Sequence, residues 1–440
     1  MSLSRLLVEP RVRIDYYVNK IRVVGLGWTV RWIARRIAIE VMWVVFLPIT
    51  IIAHLAGYRR VPIYVERIGH LASEFDCFLK EQALGRLPAR RWFVVALHSK
   101  VANPCLLEYW KRHVPVLQNP WLCTLLAAMG RHGLMELDIS HYTPISALRG
   151  AATYYSVLAA WGNRPPILTL DEAHRTRGRA VLAEMGVPSD AWFVAIHARE
   201  PGFSVQDESA HAFRNSDILR LIPAIQEIRR RGGWIVRMGD PTMRPFSPTE
   251  GVVDYAHHPA KSDWMDVFLC ASARFFVGNS SGLFVVSTAF GVRCALANMV
   301  ATSHLAFSPT DISIFKLIRS ERHGRYLTFD EIFSLPVANY GLAQLFTENG
   351  YTVEENTAED LRDLVVEMLD SVEGSYRVTE EDCARQTRFM SLLRPGHFGY
   401  GAAGRIGGAF LRRHGALLEN EPTRSLGERS GDGHERGNVP

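Results

Sequence analysis

From about residue 61 onward, short apolar runs alternate with longer stretches that carry apolar residues on one helical face. Short apolar runs suit buried strands, and the stretches between them suit helices that cover a sheet. The alternation predicts α/β units with parallel sheets. The chain has 440 residues, 48% of them hydrophobic and 22% charged, which allows two or three domains with sizeable cores.

The pattern predicts strands at 62–66, 92–97, 192–196, 234–238, 274–277 and 292–297, with a connector at 165–176 and a helix after it at 177–185. Two such series join near residue 180, so we expect two Rossmann-like domains that face each other across a cleft. The predicted domains are a basic and apolar segment (1–60), an N-terminal Rossmann-like domain (61–186), a C-terminal Rossmann-like domain with closing helices (187–418) and a disordered tail (419–440).

The N-terminal segment combines basic residues with an uncharged apolar run at 41–53. Residues 1–60 carry ten Lys and Arg against three Asp and Glu, whereas the whole chain has a net charge of +5, so the rest is slightly acidic. A helix at the membrane interface, within 28–60, fits this pattern, with Trp28, Trp32 and Trp43 near the headgroups. The alternatives are a helix packed on the protein body and a membrane span, for which the run is short.

Several classes of site are disfavoured by the sequence. Six scattered cysteines form no C-x-x-C pair, which predicts buried, unreactive thiols and a reducing compartment. No H-E-x-x-H, G-x-S-x-G or kinase motif is present, and we predict no structural metal. Because the basic residues concentrate in the first 60 positions, nucleic acid is not the expected partner.

The strongest local signal is Gly278-Asn279-Ser280-Ser281-Gly282, which lies between a predicted strand and a predicted helix. Free N–H groups and the Ser280 and Ser281 hydroxyls make such a loop an anion-binding candidate, whereas a plain N-cap turn is the alternative. The second signal is the run HARE after another strand, in which His197 and Arg199 lie on one side. Arg199 suits a phosphate, although pairing with Glu200 or Asp240 is the structural alternative.

Weaker candidates follow other predicted strands. Asp240 is a ribose or base contact or a turn residue, and Asp263 a ligand contact or a helix-start residue. Arg67, Gly69 and His70 follow the first strand, and His98 and Lys100 follow the second.

The stretch from His197 to Gly282, with HARE, RNSDI, GGWIVRMGDPTM and SDWMDVFLCASARFFVGNSSGL, resembles a family of bacterial surface-polysaccharide glycosyltransferases that is distantly similar to GDP-fucose-dependent fucosyltransferases. RIGHLASE and RIGGAFLRRHGALL extend the resemblance over about residues 60–415. It implies a GT-B fold, a donor diphosphate held by Arg199 beside His197, and roles for Ser280, Ser281, Gly282 and Asp263. In this fold the N-terminal domain would bind the acceptor and the C-terminal domain the nucleotide sugar. A second arginine soon after H-x-R is missing here, so either Arg214 replaces it or the donor differs from GDP-fucose.

These observations predict a metal-independent glycosyltransferase, without a cofactor, that transfers a sugar from a nucleotide-diphosphate donor to a lipid-linked or nascent polysaccharide at the cytoplasmic face of the inner membrane. Arg199 would stabilise the leaving diphosphate, and the base candidates are Glu200, Asp207, Glu208 and His70. The long polar loop 202–212 is a candidate acceptor-side lid. The rivals are an epimerase-like enzyme on the same scaffold and a non-catalytic, membrane-recruited binding module.

Overall fold

A computed structural model of the chain describes residues 26–139, 150–202, 208, 210–247, 249–300, 307–334, 336–395 and 399–419. The tail predicted to be disordered lies outside these ranges apart from Glu419, and so does half of the predicted lid loop.

The strands, numbered in chain order, are β1 (Tyr58–Val61), β2 (Arg91–Val95), β3 (Val116–Leu117), β4 (Phe193–His197), β5 (Trp234–Arg237), β6 (Val252–Val253), β7 (Phe276–Gly278), β8 (Cys294–Met299), β9 (Ile312–Phe315), β10 (Leu317–Ser320), β11 (Arg325–Tyr326), β12 (Tyr351–Glu354) and β13 (Arg405–Ile406).

The helices are α1 (Leu26–Leu55), α2 (Ile68–Ala83), α3 (Pro104–Lys111), α4 (Pro120–Met129), α5 (Gly150–Trp161), α6 (Glu172–Glu184), α7 (Ile222–Arg230), α8 (Asp263–Ser272), α9 (Leu283–Ala289), α10 (Phe329–Ser334), α11 (Ala343–Glu348), α12 (Ala358–Glu373), α13 (Glu380–Leu392), α14 (Gly408–Arg413) and α15 (Gly415–Leu418).

The chain divides into two compact units. The first comprises Met1–Arg67 and Gly85–Ile139, and the second Ile68–Leu84 and Ser140–Pro440. These divisions fall elsewhere than the domain boundaries predicted at 60, 186 and 418, which stay predictions. The α/β class with parallel sheets and an N-terminal apolar helix is confirmed.

The first unit is built on a parallel sheet in the order β1-β2-β3. The predicted strand at 62–66 is wrong: β1 ends at Val61, because Pro62 has no N–H to continue the ladder. Helices α3 and α4 each begin with a proline preceded by a capping asparagine, Asn103 or Asn119, whose side chain accepts backbone N–H groups.

Helix α1 has two different sides. One side packs on the first unit, where Phe46 and Ala53 contact a core around Phe93. The opposite side is apolar yet exposed, and within Ile33–Leu55 a window apolar enough to cross a membrane is only 6% buried. The helix is therefore packed on the protein body and apolar towards solvent at once. The side chains of Trp28 and Trp32 are not among those described.

The second unit contains a sheet in the order β13-β9-β8-β7-β4-β5-β6, with every neighbouring pair parallel. Numbered by appearance, the order is 7-6-5-4-1-2-3, which is that of a doubly wound Rossmann sheet. The chain runs outward in one direction from β4 to β6 and in the other from β7 to β13. The switch point therefore lies between β4 and β7. A separate antiparallel sheet has the order β11-β10-β12.

Sequence patterns locate most helices of the second unit, with one clear error. The region 165–176 is not wholly a connector, because α6 already begins at Glu172. Helix α12 begins with the capping box of Thr357 and Asp360 and ends at Gly374, whose φ is 73°. Ser262 occupies the N-cap of α8, but its side chain makes no capping hydrogen bond.

Helix α2 belongs to the second unit and packs closely on α9. A Cβ at Gly69 would lie 2.9 Å from the Cα of Gly282, and one at Gly282 would lie 2.8 Å from the Gly69 nitrogen. Backbone contact therefore holds the start of α2 against the start of α9.

Further along α2, the buried Asp76 carboxylate accepts from Lys80 at 2.6 Å and from the Tyr154 hydroxyl at 2.9 Å.

We expect Gly69→Ala to destabilise the protein by about 1–3 kcal/mol, because a new methyl group would press on backbone that lacks room to move. Gly341→Ala is the control, since a Cβ there meets nothing within 4 Å. Urea denaturation followed by circular dichroism measures both. Equal midpoints for the two variants would contradict the close packing.

Candidate functional site

The site lies where β4 and β7 end, at the switch point of the large sheet. His197 pairs with Gly278 across these two parallel strands, so the loops that follow them begin side by side. The two segments that the sequence singles out as the strongest candidates, HARE and Gly278–Gly282, therefore follow neighbouring strands. Ligands of doubly wound sheets bind in this position.

Asn279 connects the two loops. Its side chain is buried, its Oδ1 accepts from the Arg199 backbone N–H at 3.1 Å, and its Nδ2 donates to the Arg214 carbonyl at 2.9 Å. The Ser216 N–H donates to the Arg199 carbonyl at 2.9 Å. These bonds join the chain after β4, the segment 214–216 and the chain after β7.

The Arg199 side chain is largely buried and surrounded by acceptors. Its guanidinium donates to the Asn215 side chain and to the His211 carbonyl, and it lies 3.5 Å from Glu208 Oε2. Asn215 in turn donates to Glu208 at 2.5 Å. A carboxylate thus lies beside the arginine that the sequence assigns to an anionic ligand.

Arg214 also lies at the loop after β7, where its guanidinium donates to the Ser280 carbonyl at 3.0 and 2.5 Å. Ser280 is fully buried. The hydroxyl of Ser281 is buried and has no hydrogen-bond partner among the described residues. Gly282 is the N-cap of α9 and makes the contact with Gly69. The four predicted donor-binding residues Arg214, Ser280, Ser281 and Gly282 therefore lie together at the start of α9.

His197 is buried at the end of β4, where Nδ1 lies 3.1 Å from the Met238 carbonyl. Burial lowers the pKa of His197 to about 4, against which the bond to Met238 acts only partly. The imidazole is therefore neutral near pH 7, and the positive charge that would attract an anionic ligand must come from other residues.

Glu200 points into a buried ion-pair network rather than to the loops. Its two oxygens accept from Arg237 at 3.2 Å and from the Arg244 N–H at 2.8 Å, and Arg237 also donates to Asp254 at 2.9 Å. The catalytic role predicted for Glu200 stays a prediction, but this geometry is that of a structural carboxylate.

Asp240 is close enough to His197 for its charge to act on the pKa of that imidazole. The Asp240 carboxylate accepts from the backbone and hydroxyl of Thr242, as a turn residue does. Asp263 is exposed in the first turn of α8. Asp207 lies outside the described residues.

His70 is the base candidate with the most suitable surroundings. It lies in the first turn of α2, one residue after the Gly69 that touches Gly282, and its Nδ1 is 2.8 Å from Glu74 Oε1. Glu74 is almost fully buried. A histidine oriented by a carboxylate is the arrangement that general bases commonly adopt.

Two neighbours were missed by sequence reasoning, Asn215 and Lys316. Lys316 directly follows β9, is buried, and donates from Nζ to the Asn215 carbonyl at 2.5 Å. Burial lowers its pKa to about 8, and the charges of Glu355, Arg220 and Arg199 act on it as well. A lysine straight after an apolar strand was the available signal.

No group of three or more potential metal ligands occurs among the described side chains. The expectation of buried thiols is confirmed for Cys77, Cys123, Cys270 and Cys294. Cys105 is half-buried, and Cys383 is exposed, so the expectation is wrong for Cys383.

No protein-family model and no curated protein matches the chain. Similar solved structures include a glycosyl transferase family 9 protein from Veillonella parvula DSM 2008, at 12% identity and a TM-score of 0.37, over 55% of this chain and 80% of that one. The iron-containing dodecameric heptosyltransferase TibC, in complex with ADP-D-β-D-heptose, is similar at 12% identity and a TM-score of 0.36, over 58% of this chain and 62% of that one. A structure of the iron-containing dodecameric glycosyltransferase TibC from enterotoxigenic E. coli H10407 is similar at 13% identity and a TM-score of 0.35, over 58% of this chain and 62% of that one. Likeness at this level carries no argument about activity.

We expect Asn279→Ala to lower the free energy of unfolding by about 2–3 kcal/mol, because it leaves the Arg199 N–H and the Arg214 carbonyl unpaired in a buried place. Asn349→Ala, at an exposed position where the side chain bonds only its own helix turn, should change it by less than about 0.5 kcal/mol. Urea denaturation compares them. A similar loss in both would show that Asn279 does not connect the loops.

Stability should depend on pH through His197. Because its folded pKa of about 4 is below the value near 6.5 of an unfolded chain, the unfolded state takes up a proton first as the pH falls. Between about pH 6.5 and pH 4 this lowers the free energy of unfolding by up to about 3 kcal/mol. His197→Gln has no imidazole to protonate, so the difference between its free energy of unfolding and that of wild type should shrink over that interval. A constant deficit in urea titrations from pH 7 to pH 4 would contradict it.

Proposed function

We propose that this protein is a glycosyltransferase of GT-B type that transfers a sugar from a nucleotide-diphosphate donor to a lipid-linked or nascent surface polysaccharide. The observation that carries the proposal is the meeting of Arg199, Arg214 and the Ser280–Gly282 segment at the switch point of a Rossmann sheet. Nucleotide phosphates bind at this place in such sheets, and arginine is the side chain best suited to grip them.

Charge supports a diphosphate as the ligand. Arg199, Arg214, Lys316 and Arg220 bring positive charge to the loops, and Glu208 and Glu355 are the carboxylates beside them. Lys316 is buried, and burial of a cation is unfavourable unless negative charge is near. Glu355 supplies part of that charge, and a diphosphate would supply more.

The chemistry that follows needs little from the protein beyond charge and position. When the sugar leaves, negative charge grows on the diphosphate, and donors already in place stabilise it without reorganising. Arg199 and the hydroxyl of Ser281 are the proposed donors in this metal-independent scheme. His70, oriented by Glu74, is the proposed base that takes the proton of the acceptor hydroxyl.

Glu208 is proposed to occupy the place of the ligand when none is bound. Its carboxylate contacts the same guanidinium that would hold the diphosphate, so the two anions compete for Arg199. Donor binding would therefore exchange one charge-assisted contact for another.

The exposed apolar side of α1 supports a peripheral position on the cytoplasmic side of the inner membrane, through residues 28–60. A membrane-bound enzyme would find a lipid-linked acceptor at the surface to which it is attached.

The test of the transferase is a thermal-shift panel with GDP, UDP, ADP, CMP and dTDP and their sugars. At about 100 times its Kd, a ligand of the folded state stabilises it by about 2.7 kcal/mol. We expect one nucleotide family to give a shift that Arg199→Ala abolishes and that Arg362→Ala, which removes an exposed arginine elsewhere, keeps. No thermal shift with any nucleotide would overturn the proposal. If a nucleotide sugar shifts the melting temperature and is converted, but no glycosylated acceptor forms, the epimerase-like enzyme is favoured instead.

Glu208→Gln should raise the affinity for the nucleoside diphosphate found in that panel by about fivefold, because the competing carboxylate is neutralised, a change of about 1 kcal/mol. Glu381→Gln removes an exposed carboxylate far along the sequence and should leave the affinity unchanged. Isothermal titration calorimetry gives both values. An unchanged or weaker affinity in Glu208→Gln would show that Glu208 does not compete.

A further inference from the structure

The first turn of α4 presents two large apolar side chains to solvent. Trp121 is 83% exposed and Leu122 is 45% exposed. Tryptophan has a large apolar surface and is mostly covered in folded proteins. Neither side chain belongs to the candidate site, which lies in the other compact unit.

Helix α4 lies beside α1 on the same face of the first sheet. Leu125 and Leu126 of α4 pack on the core around Phe93, as do Phe46 and Ala53 of α1. Since both helices cover this face, their outer sides both point away from the sheet.

The outer side of α1 is apolar as well. It is formed by exposed residues at helical spacing, namely Val41, Val44, Val45, Ile49, Ile52 and Leu55. Together with Trp121 and Leu122 they form what we call the apolar face of the first unit.

Basic residues flank the apolar face at both ends of α1. Arg31 and Arg35 are exposed before it, and Arg59, Arg90 and Arg91 lie after it. Arg90 is close enough to Arg59 to lower its pKa, although burial is the larger cause. A second copy of the chain would bring like charges together in either direction along α1, whereas anionic headgroups complement both ends.

The contacts of α1 also indicate how it meets the lipid. Glu40 is paired with His132 at 2.9 Å, and the His54 ring lies 2.6 Å from the Leu134 carbonyl. If α1 crossed the bilayer, these polar groups and the sheet beneath them would enter the hydrocarbon, which is very unfavourable. A helix lying in the plane of the interface keeps them on the watery side.

We propose that α4 is a second lipid-binding element, so that Trp121 and Leu122 enter an anionic bilayer surface beside an α1 that lies in its plane. The inference rests on the proposed membrane association of α1 and extends it to a surface built from two helices. Tryptophan at headgroup level and leucine at the acyl boundary is the usual arrangement of such surfaces.

The test is flotation of the full-length protein with vesicles of phosphatidylcholine, with and without phosphatidylglycerol. Wild type should partition more strongly into the anionic vesicles. The Trp121→Ser, Leu122→Ser double variant should partition about tenfold more weakly than wild type. The matched control is the Leu342→Ser, Val378→Ser double variant, which removes two comparably exposed apolar side chains from the second unit and should partition as wild type does.

A second measurement reads the position of Trp121 directly. Brominated lipid should quench part of the tryptophan emission of bound wild type. Trp121→Phe, which keeps an apolar ring and should still float, should lose a share of that quenching, whereas an unchanged quenched emission would show that Trp121 does not enter the lipid.

Three other results would contradict the proposal. If wild type floats and the Trp121, Leu122 variant floats equally well, α4 is not part of the surface. If wild type does not float at all, the membrane association itself is wrong, whereas nucleotide binding is tested separately. A lipid-free dimer that the same variant dissociates would make a second copy the occupant and overturn the proposal.

Discussion

The hydrogen bonds of Asn279 hold together the part of the second unit on which the candidate site depends. One amide side chain pairs with backbone groups of two segments that lie about 65 and 80 residues before it. The ladder of hydrogen bonds between β4 and β7 ends at His197 and Gly278, so the loops beyond have no strand pairing to align them. Asn279 aligns them instead, and with them the side chains of Arg199 and Arg214.

The placement of the site was predictable in part from sequence, for a simple reason. Parallel strands end at one edge of a sheet, so polar residues directly after buried strands, such as Arg199 and Ser280, are brought together by topology alone. What Glu200 contacts was not predictable, because Arg237 and the N–H of Arg244 approach it from segments about 40 residues away. Lys316 also directly follows a buried strand, so its place at this edge was open to the same reasoning, whereas its bond to a carbonyl about 100 residues earlier was not.

Local chemistry explains the errors in the element boundaries. Pro62 ends a strand that the apolar pattern alone would start there, and Glu172 begins a helix whose polar first turn hides its start. The N-terminal helix gave a different difficulty. Its run at 41–53 is apolar on all sides, and hydropathy alone does not distinguish the side that packs on Phe93 from the side left exposed. Only the fold separates the two.

The contact of Gly69 with Gly282 also has a consequence for how the chain is made. Helix α2 is an excursion: the chain leaves the first unit for it and then returns, so no single cut separates the two units. On the ribosome, α2 emerges about 200 residues before the helix against which it packs. At the usual rate of synthesis that interval is on the order of 20 s, far longer than a helix needs to form. Helix α5, whose Tyr154 bonds to Asp76, emerges earlier and covers part of α2, but the surface of α2 that meets α9 stays uncovered for the whole interval. Helix α2 therefore reaches its final packing late in synthesis.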